Sequence, residues 1–210
     1  MKLHYGRVPE TVDFQPDQEG WHEIRGPGQI VMQIVAFPVG VLIFLVIGGL
    51  LSLFWPQELT LNKIVSAGAF LLRPLVVIII FLVPVHELIH ALFHPAFGTS
   101  DQTIIGLWLR KWLFYAYYQG PMSRNRLLMV YAGPFIVLSL LPLGMLALFK
   151  SLLLTTDWAI GLALLSLLGG VIAACDFVGF ILIMIQVPSS AIVRSKGWGI
   201  YWRTMIAFLY

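Results

Sequence analysis

The sequence predicts an all-α membrane protein of about four transmembrane helices, with a small β-hairpin-like element between the second and third. Composition is the first sign. Of 210 residues, 59% are hydrophobic and 11% charged, with a mean hydropathy of +0.89. Soluble domains are about a quarter charged, and a globule of this size must still cover its surface with polar groups. Lipid supplies the missing solvent. The second sign is four apolar stretches that reach the roughly 20 residues needed to cross a bilayer as helix. The third is an aromatic, β-branched run between two of them, too short and too polar at its centre to span.

A polar segment opens the chain. Residues 1–28 mix Glu10, Asp13, Asp17, Glu19 and Glu23 with Lys2, Arg7 and Arg25. The basic start is not followed by an apolar run and small-residue cleavage site, so no cleavable signal peptide is expected. The first span covers about 29–54. The second covers about 74–94, with Pro74 at the first helical position, where proline is tolerated. Residues 64–72 then form an interfacial or re-entrant lead-in. Pro95 should end this helix, because the residue before proline avoids helical dihedrals. Thr103–Tyr118, interrupted by Arg110-Lys111, reads as a β-hairpin near the interface, or alternatively as an aromatic belt without regular pairing. The third and fourth spans cover about 127–149 and 159–187. With no repeat or low-complexity tract, residues 1–210 read as a single domain.

The formal charge is +3 and the pI about 9.1, but the basic residues flank apolar segments and form no nucleic-acid stripe. They set orientation instead. Four spans put the N-terminus, the central loop and the C-terminus on one side. That side holds Lys2, Arg7, Arg25, Arg110, Lys111, Arg124, Arg126, Arg194, Lys196 and Arg203, and the other only Lys63 and Lys150, with Arg73 at the edge of a span. Both termini are expected in the cytoplasm. A single cysteine, Cys175, excludes an internal disulfide and a cysteine-rich zinc module, and reads as a small packing residue.

Within the second span lies His86-Glu87-Leu88-Ile89-His90. On a helix, positions i and i+4 share a face one turn apart, so two imidazoles can converge on one zinc ion (Zn2+). Glu87 points about 100° away from His86 and can reach a water beside the metal without displacing a ligand. Zinc brings that water's pKa towards neutrality, and the carboxylate takes its proton as the water attacks a carbonyl. An acidic side chain at the centre of a bilayer costs at least about 2.5 kcal/mol and usually marks function. The rival reading is a hydrogen-bonded polar cluster that joins helices.

A catalytic zinc takes three protein ligands. Asp176 is the leading candidate for the third, being the aspartate that lies well inside an apolar span. His86 and Asp176 also fall within about one helical turn of the same depth. His94, at i+4 from His90, is the rival: the face drifts by about 40° per such step, and Pro95 can swing the side chain. His4 and His22 read as solvated. Gly133-Pro134, near the same depth, either kinks the third helix or lines a watery cavity with a freed carbonyl. Gly169-Gly170 either breaks the fourth helix or lets helices pack closely.

These residues resemble the core of the site-2 protease group of intramembrane metalloproteases. More closely, Val85-His-Glu-Leu-Ile-His-Ala-Leu-Phe-His-Pro95, Ser123-Arg-Asn-Arg126, Ala132-Gly-Pro134 and Cys175-Asp176 are similar to a bacterial and archaeal family of zincin membrane peptidases. The resemblance covers roughly residues 70 to 190. It implies a prokaryotic cell membrane, zinc on His86, His90 and Asp176, and Glu87 as general base. It further implies a protein or peptide substrate, aligned along the strand-like segment by edge pairing. Site-2 proteases usually carry Asn-Pro and Leu-Asp-Gly on the helix of the third ligand. Here that helix reads Ala-Cys-Asp-Phe with no nearby asparagine, which leaves the oxyanion stabiliser unassigned.

Two other readings compete. One is a zinc hydrolase of a lipid or small amide, because activated water attacks many carbonyls. The other is a non-enzymatic metal or haem carrier, which the geometry disfavours: histidines one turn apart cannot take opposite faces of one haem.

Overall fold

The computed structural model describes residues 1–18, 20–54, 80–149 and 157–204. Helix α1, Gln29–Phe54, has the bounds expected of the first span. Ala36, Ile43, Ile47 and Leu51 recur on one face and are buried, while Phe37, Leu42, Phe44 and Leu45 on the others are exposed. A helix apolar all round with only one face packed is suited to lipid. Helix α2 is described over Ile80–Phe93. The expected start at Pro74 and the lead-in over 64–72 lie outside the described residues.

Helix α3 runs Arg124–Leu148, capped at its start by the Ser123 hydroxyl, which accepts from the Arg126 amide at 3.2 Å. After Pro134 it relaxes into a π-type turn over Ile136–Leu140. The fourth expected span, 159–187, is corrected in form. It is two helices, α4 (Asp157–Ile172) and α5 (Ala174–Gln186), bent by 49° at Ala173. Gly169 and Gly170 lie ahead of the bend and serve close packing: a Cβ on Gly169 would meet Leu138 at 2.6 Å, and one on Gly170 would meet Ser139 at 2.9 Å. Among the described residues two helices, Ile30–Leu53 and Arg124–Leu148, are long and apolar enough to cross a membrane, or three if the bent pair is one span. Helix α1 packs on α3, α4 and α5 through Ile43, Ile47, Leu143, Leu146 and Val178, and α2 meets α3 through Leu82, Ile89 and Leu138.

The expectation of an all-α chain is also corrected, because the mostly helical fold carries two small sheets. In the first, β1 (Lys2–Tyr5) runs parallel to β3 (Thr103–Trp108), which pairs antiparallel with β4 (Leu113–Tyr118). In the second, β2 (His22–Glu23), β7 (Gly199–Thr204), β6 (Ala191–Lys196) and β5 (Met122–Ser123) lie in that order, all antiparallel. Strands β6 and β7 are joined by Gly197-Trp198, with Gly197 at φ 55°. A left-handed residue matches the twist of a two-residue hairpin loop, and glycine adopts it without strain. The polar N-terminal segment, the central loop and the C-terminal segment are thereby joined by strand pairing into one layer at one end of the helices.

Candidate metal centre

Helix α2 brings His86 and His90 one turn apart, both buried, with ring centroids 4.7 Å apart. Their Nε2 atoms are 3.0 Å from each other. Asp176 enters from the first turn of α5, its Oδ2 2.9 Å from His86 Nε2 and its Oδ1 3.4 Å from His90 Nε2. The structure therefore brings Asp176 to both imidazoles. His94 stands apart. Its backbone is extended (φ −62°, ψ 160°), as Pro95 demands, and its buried ring lies against Tyr118 at 5.4 Å.

The second nitrogen of His90 explains part of the design. Its Nδ1 donates to the Val130 carbonyl at 2.7 Å. In an α-helix that carbonyl would accept from the amide of residue 134, and Pro134 has none. The proline within α3 thus leaves free the acceptor that orients His90. A proton on Nδ1 leaves a lone pair on Nε2 of the neutral ring. Gly133 lets α2 and α3 approach this closely, because a Cβ there would overlap the Phe93 ring.

Two nitrogens and a carboxylate thus face one another at 2.9–3.4 Å, and buried Asp176 Oδ2 accepts no hydrogen bond among the described residues. Nitrogen and oxygen lone pairs that converge at this spacing need a proton or a metal cation among them. Zinc–ligand bonds of roughly 2.0–2.1 Å in a tetrahedron place ligand atoms about 3.3 Å apart, so the donor set fits zinc in type and spacing. Glu87 has a carboxylate oxygen within 4.8 Å of a ligand nitrogen on each of His86 and His90. Its Oε2 accepts from the Ala116 amide of β4 at 2.8 Å. Strand β4 is an edge of its sheet, and Ala116 turns its N–H away from β3 towards the site. Glu87, His90, Asp176, Tyr131 and all six residues of β4 line one cavity of about 290 Å³.

The end of α2 is held from α3. Arg126 donates through Nε to the Phe93 carbonyl and through Nη2 to the His94 carbonyl at 2.7 Å, and its guanidinium lies 5.8 Å from the Phe97 ring centre. These are carbonyls a helix end leaves without partners. Ala96 and Phe97 follow in left-handed conformations, φ 54° and 51°, which cost about 1–2 kcal/mol each outside glycine.

The family profile described as "Putative zincin peptidase" (DUF3267) matches residues 79–192, just over half of the chain. The chain belongs to that family. The matched region begins one residue before the described part of α2 and ends in β6, so it contains every group that converges on the site. No curated protein and no solved structure matches the chain. Membership in a zincin peptidase family and a converging His-Glu-x-x-His group together support a zinc metallopeptidase. Sequence reasoning passed over three contributors: the Val130 carbonyl, Arg126 and the Ala116 amide. Pro134 and the Ser-Arg-Asn-Arg run were the available signals for the first two. Nothing in the sequence marks Ala116.

Proposed function

We propose that the chain is a membrane-embedded zinc metallopeptidase in which His86, His90 and Asp176 hold the metal and Glu87 is the general base. The convergence of two Nε2 atoms and the Asp176 carboxylate within 2.9–3.4 Å of one another carries this reading. A zinc ion bound there supplies Lewis acidity, which lowers the pKa of a water and polarises a carbonyl. Glu87 takes the proton of the attacking water and returns it to the leaving amine. The Ala116 amide fixes the Glu87 carboxylate beside the ligands.

The edge of β4 that no strand pairs with among the described residues favours a polypeptide over a lipid. An extended backbone adds to a strand edge by main-chain hydrogen bonds, and this edge borders the cavity that Glu87 lines. Such alignment, with a ligand pair on one helix and an aspartate on a later one, is the further likeness to site-2 proteases. The layer that joins both termini to β3 and β4 carries most of the chain's Lys and Arg, which supports a cytoplasmic placement for it.

The test uses the full chain in detergent. Wild type should bind about one zinc per chain, as the expected ligand set takes one ion, and should cleave fluorescently labelled casein. His86→Ala and Asp176→Ala should lose the metal. Glu87→Gln should keep the metal and lose about 10²–10⁴-fold in cleavage. Full zinc in Asp176→Ala would transfer the third position to His94. Hydrolysis of a fatty-acyl amide with no cleavage of casein would replace the peptidase by a lipid hydrolase.

A further inference from the structure

Hydrolysis of an amide builds negative charge on the carbonyl oxygen as water adds, and a donor aimed at that oxygen is often worth more than any other single group. The helix that carries Asp176 offers no asparagine for this. Four tyrosines line the cavity: Tyr115, Tyr117, Tyr118 and Tyr131. Three have hydroxyls committed elsewhere. Tyr115 donates to the Gly6 carbonyl, Tyr117 to the Ser195 carbonyl at 3.0 Å, and Tyr118 to Gln102 Oε1 at 2.8 Å. The Tyr131 hydroxyl makes no hydrogen bond among the described residues.

Its position is built. Tyr131 follows Val130, the residue whose carbonyl orients His90, and its ring stands edge-on to His90 with centroids 6.3 Å apart. On the other side lies Gly179, one turn beyond Asp176, where a Cβ would come within 2.6 Å of Tyr131 Cε1. The ring is thus wedged between α2 and α5, the helices that carry all three proposed ligands, through a gap that only glycine leaves open. A tyrosine in an apolar setting normally finds its hydroxyl a hydrogen-bond partner, and a substrate oxygen in the cavity that Tyr131 lines can supply one.

We propose that the Tyr131 hydroxyl donates a hydrogen bond to the scissile carbonyl oxygen as it becomes an oxyanion. The inference rests on the peptidase reading above. Tyr131 stays protonated throughout, and no bond to it is made or broken.

The test compares a ground state with a tetrahedral mimic in the full chain loaded with zinc. The probes are a phosphinic pseudopeptide and the plain peptide of the same sequence, the latter titrated on a Glu87→Gln background so that it is not cleaved. Tyr131→Phe should weaken phosphinate binding, and lower kcat on that peptide, each by about 10²–10³-fold, as removal of one such donor does. Zinc content, KM and affinity for the plain peptide should stay within about twofold. Gly179→Ala, which pushes the ring aside, should move the same two quantities in the same direction. Equal weakening of both probes would mean that the ring only shapes the cavity, and overturns the proposal. So would an unchanged phosphinate affinity, or a selective loss in His94→Gln instead. A wild-type chain that neither cleaves the peptide nor binds the phosphinate would overturn the peptidase reading itself, and this proposal with it.

Discussion

At His90 the ring is fixed by a backbone atom, and the chemistry of the site turns on that contact. The Val130 carbonyl is free to accept from Nδ1 at 2.7 Å because Pro134 supplies no amide one turn later. Partners of this kind fix the tautomer of a metal-binding histidine, and their loss costs roughly 10–100-fold in metal affinity. Pro134→Ala restores an amide that competes for Val130. Zinc affinity measured against a chelator should therefore fall about tenfold, while helix content by circular dichroism stays unchanged or rises. The spacing of His86, Glu87 and His90 was legible in the sequence, since helical geometry alone puts the two imidazoles on one face. Asp176 was legible as an isolated acid in an apolar span. The role of Val130 was not, because a carbonyl has no letter. The proline that frees it was visible, and was read either as a kink or as freeing a carbonyl to a watery cavity, with no histidine as its partner.

The elements around the site are joined at their ends. Arg126, in the first turn of α3, binds two carbonyls at the end of α2 and covers Phe97. Its forked geometry reaches both carbonyls at once, which an ammonium cannot match. Arg126→Ala should destabilise the chain by about 1.5–3 kcal/mol, the range for charge-assisted bonds, and Arg126→Lys should recover only part of it in thermal unfolding in detergent. In the second sheet, Arg194 of β6 donates to Asp13 at 2.7 Å and lies over the Phe14 ring. That hydrogen bond holds the Asp13 carboxyl below its ordinary value. A lowered folded value stabilises above the unfolded value of about 3.9, and the effect vanishes as pH falls through the folded one. A spin label at Val12 should thus keep the same mobility from pH 5 to 8 and loosen below about pH 4. In Asp13→Asn its mobility should not depend on pH. Strands β6 and β7 escaped the sequence reading although their signals were present: β-branched and aromatic residues flank Lys196-Gly197-Trp198-Gly199, a two-residue turn with glycine first. Basic residues in that stretch drew attention to orientation instead of pairing.

For the whole molecule, the apolar composition and the bounds of α1 were legible because a lipid-facing helix needs nothing beyond length and hydropathy. The long-range strand partners in the sheets were not. The sheets pair segments far apart in sequence, β1 with β3 and β2 with β7, and periodicity within a short window carries no information about such partners. The shared layer makes a prediction at this scale. With Cys175→Ser as background, cysteines at Val12, Trp112 and Trp198 should all label from the same face of sealed vesicles, the cytoplasmic one. Labelling of Trp112→Cys from the opposite face would break the arrangement. Knitting both ends of the chain together also dictates an order of events during synthesis. Strand β2 waits for Gly199–Thr204, and the Thr11 hydroxyl meets the Ser195 carbonyl across 184 positions of sequence. While the ribosome is still delivering those late residues, the cavity lacks the turn at Gly197-Trp198 that borders it. A nascent chain can therefore carry His86, His90 and Asp176 and still lack a finished wall around them, so the proposed peptidase activity should not begin until translation has passed the second sheet.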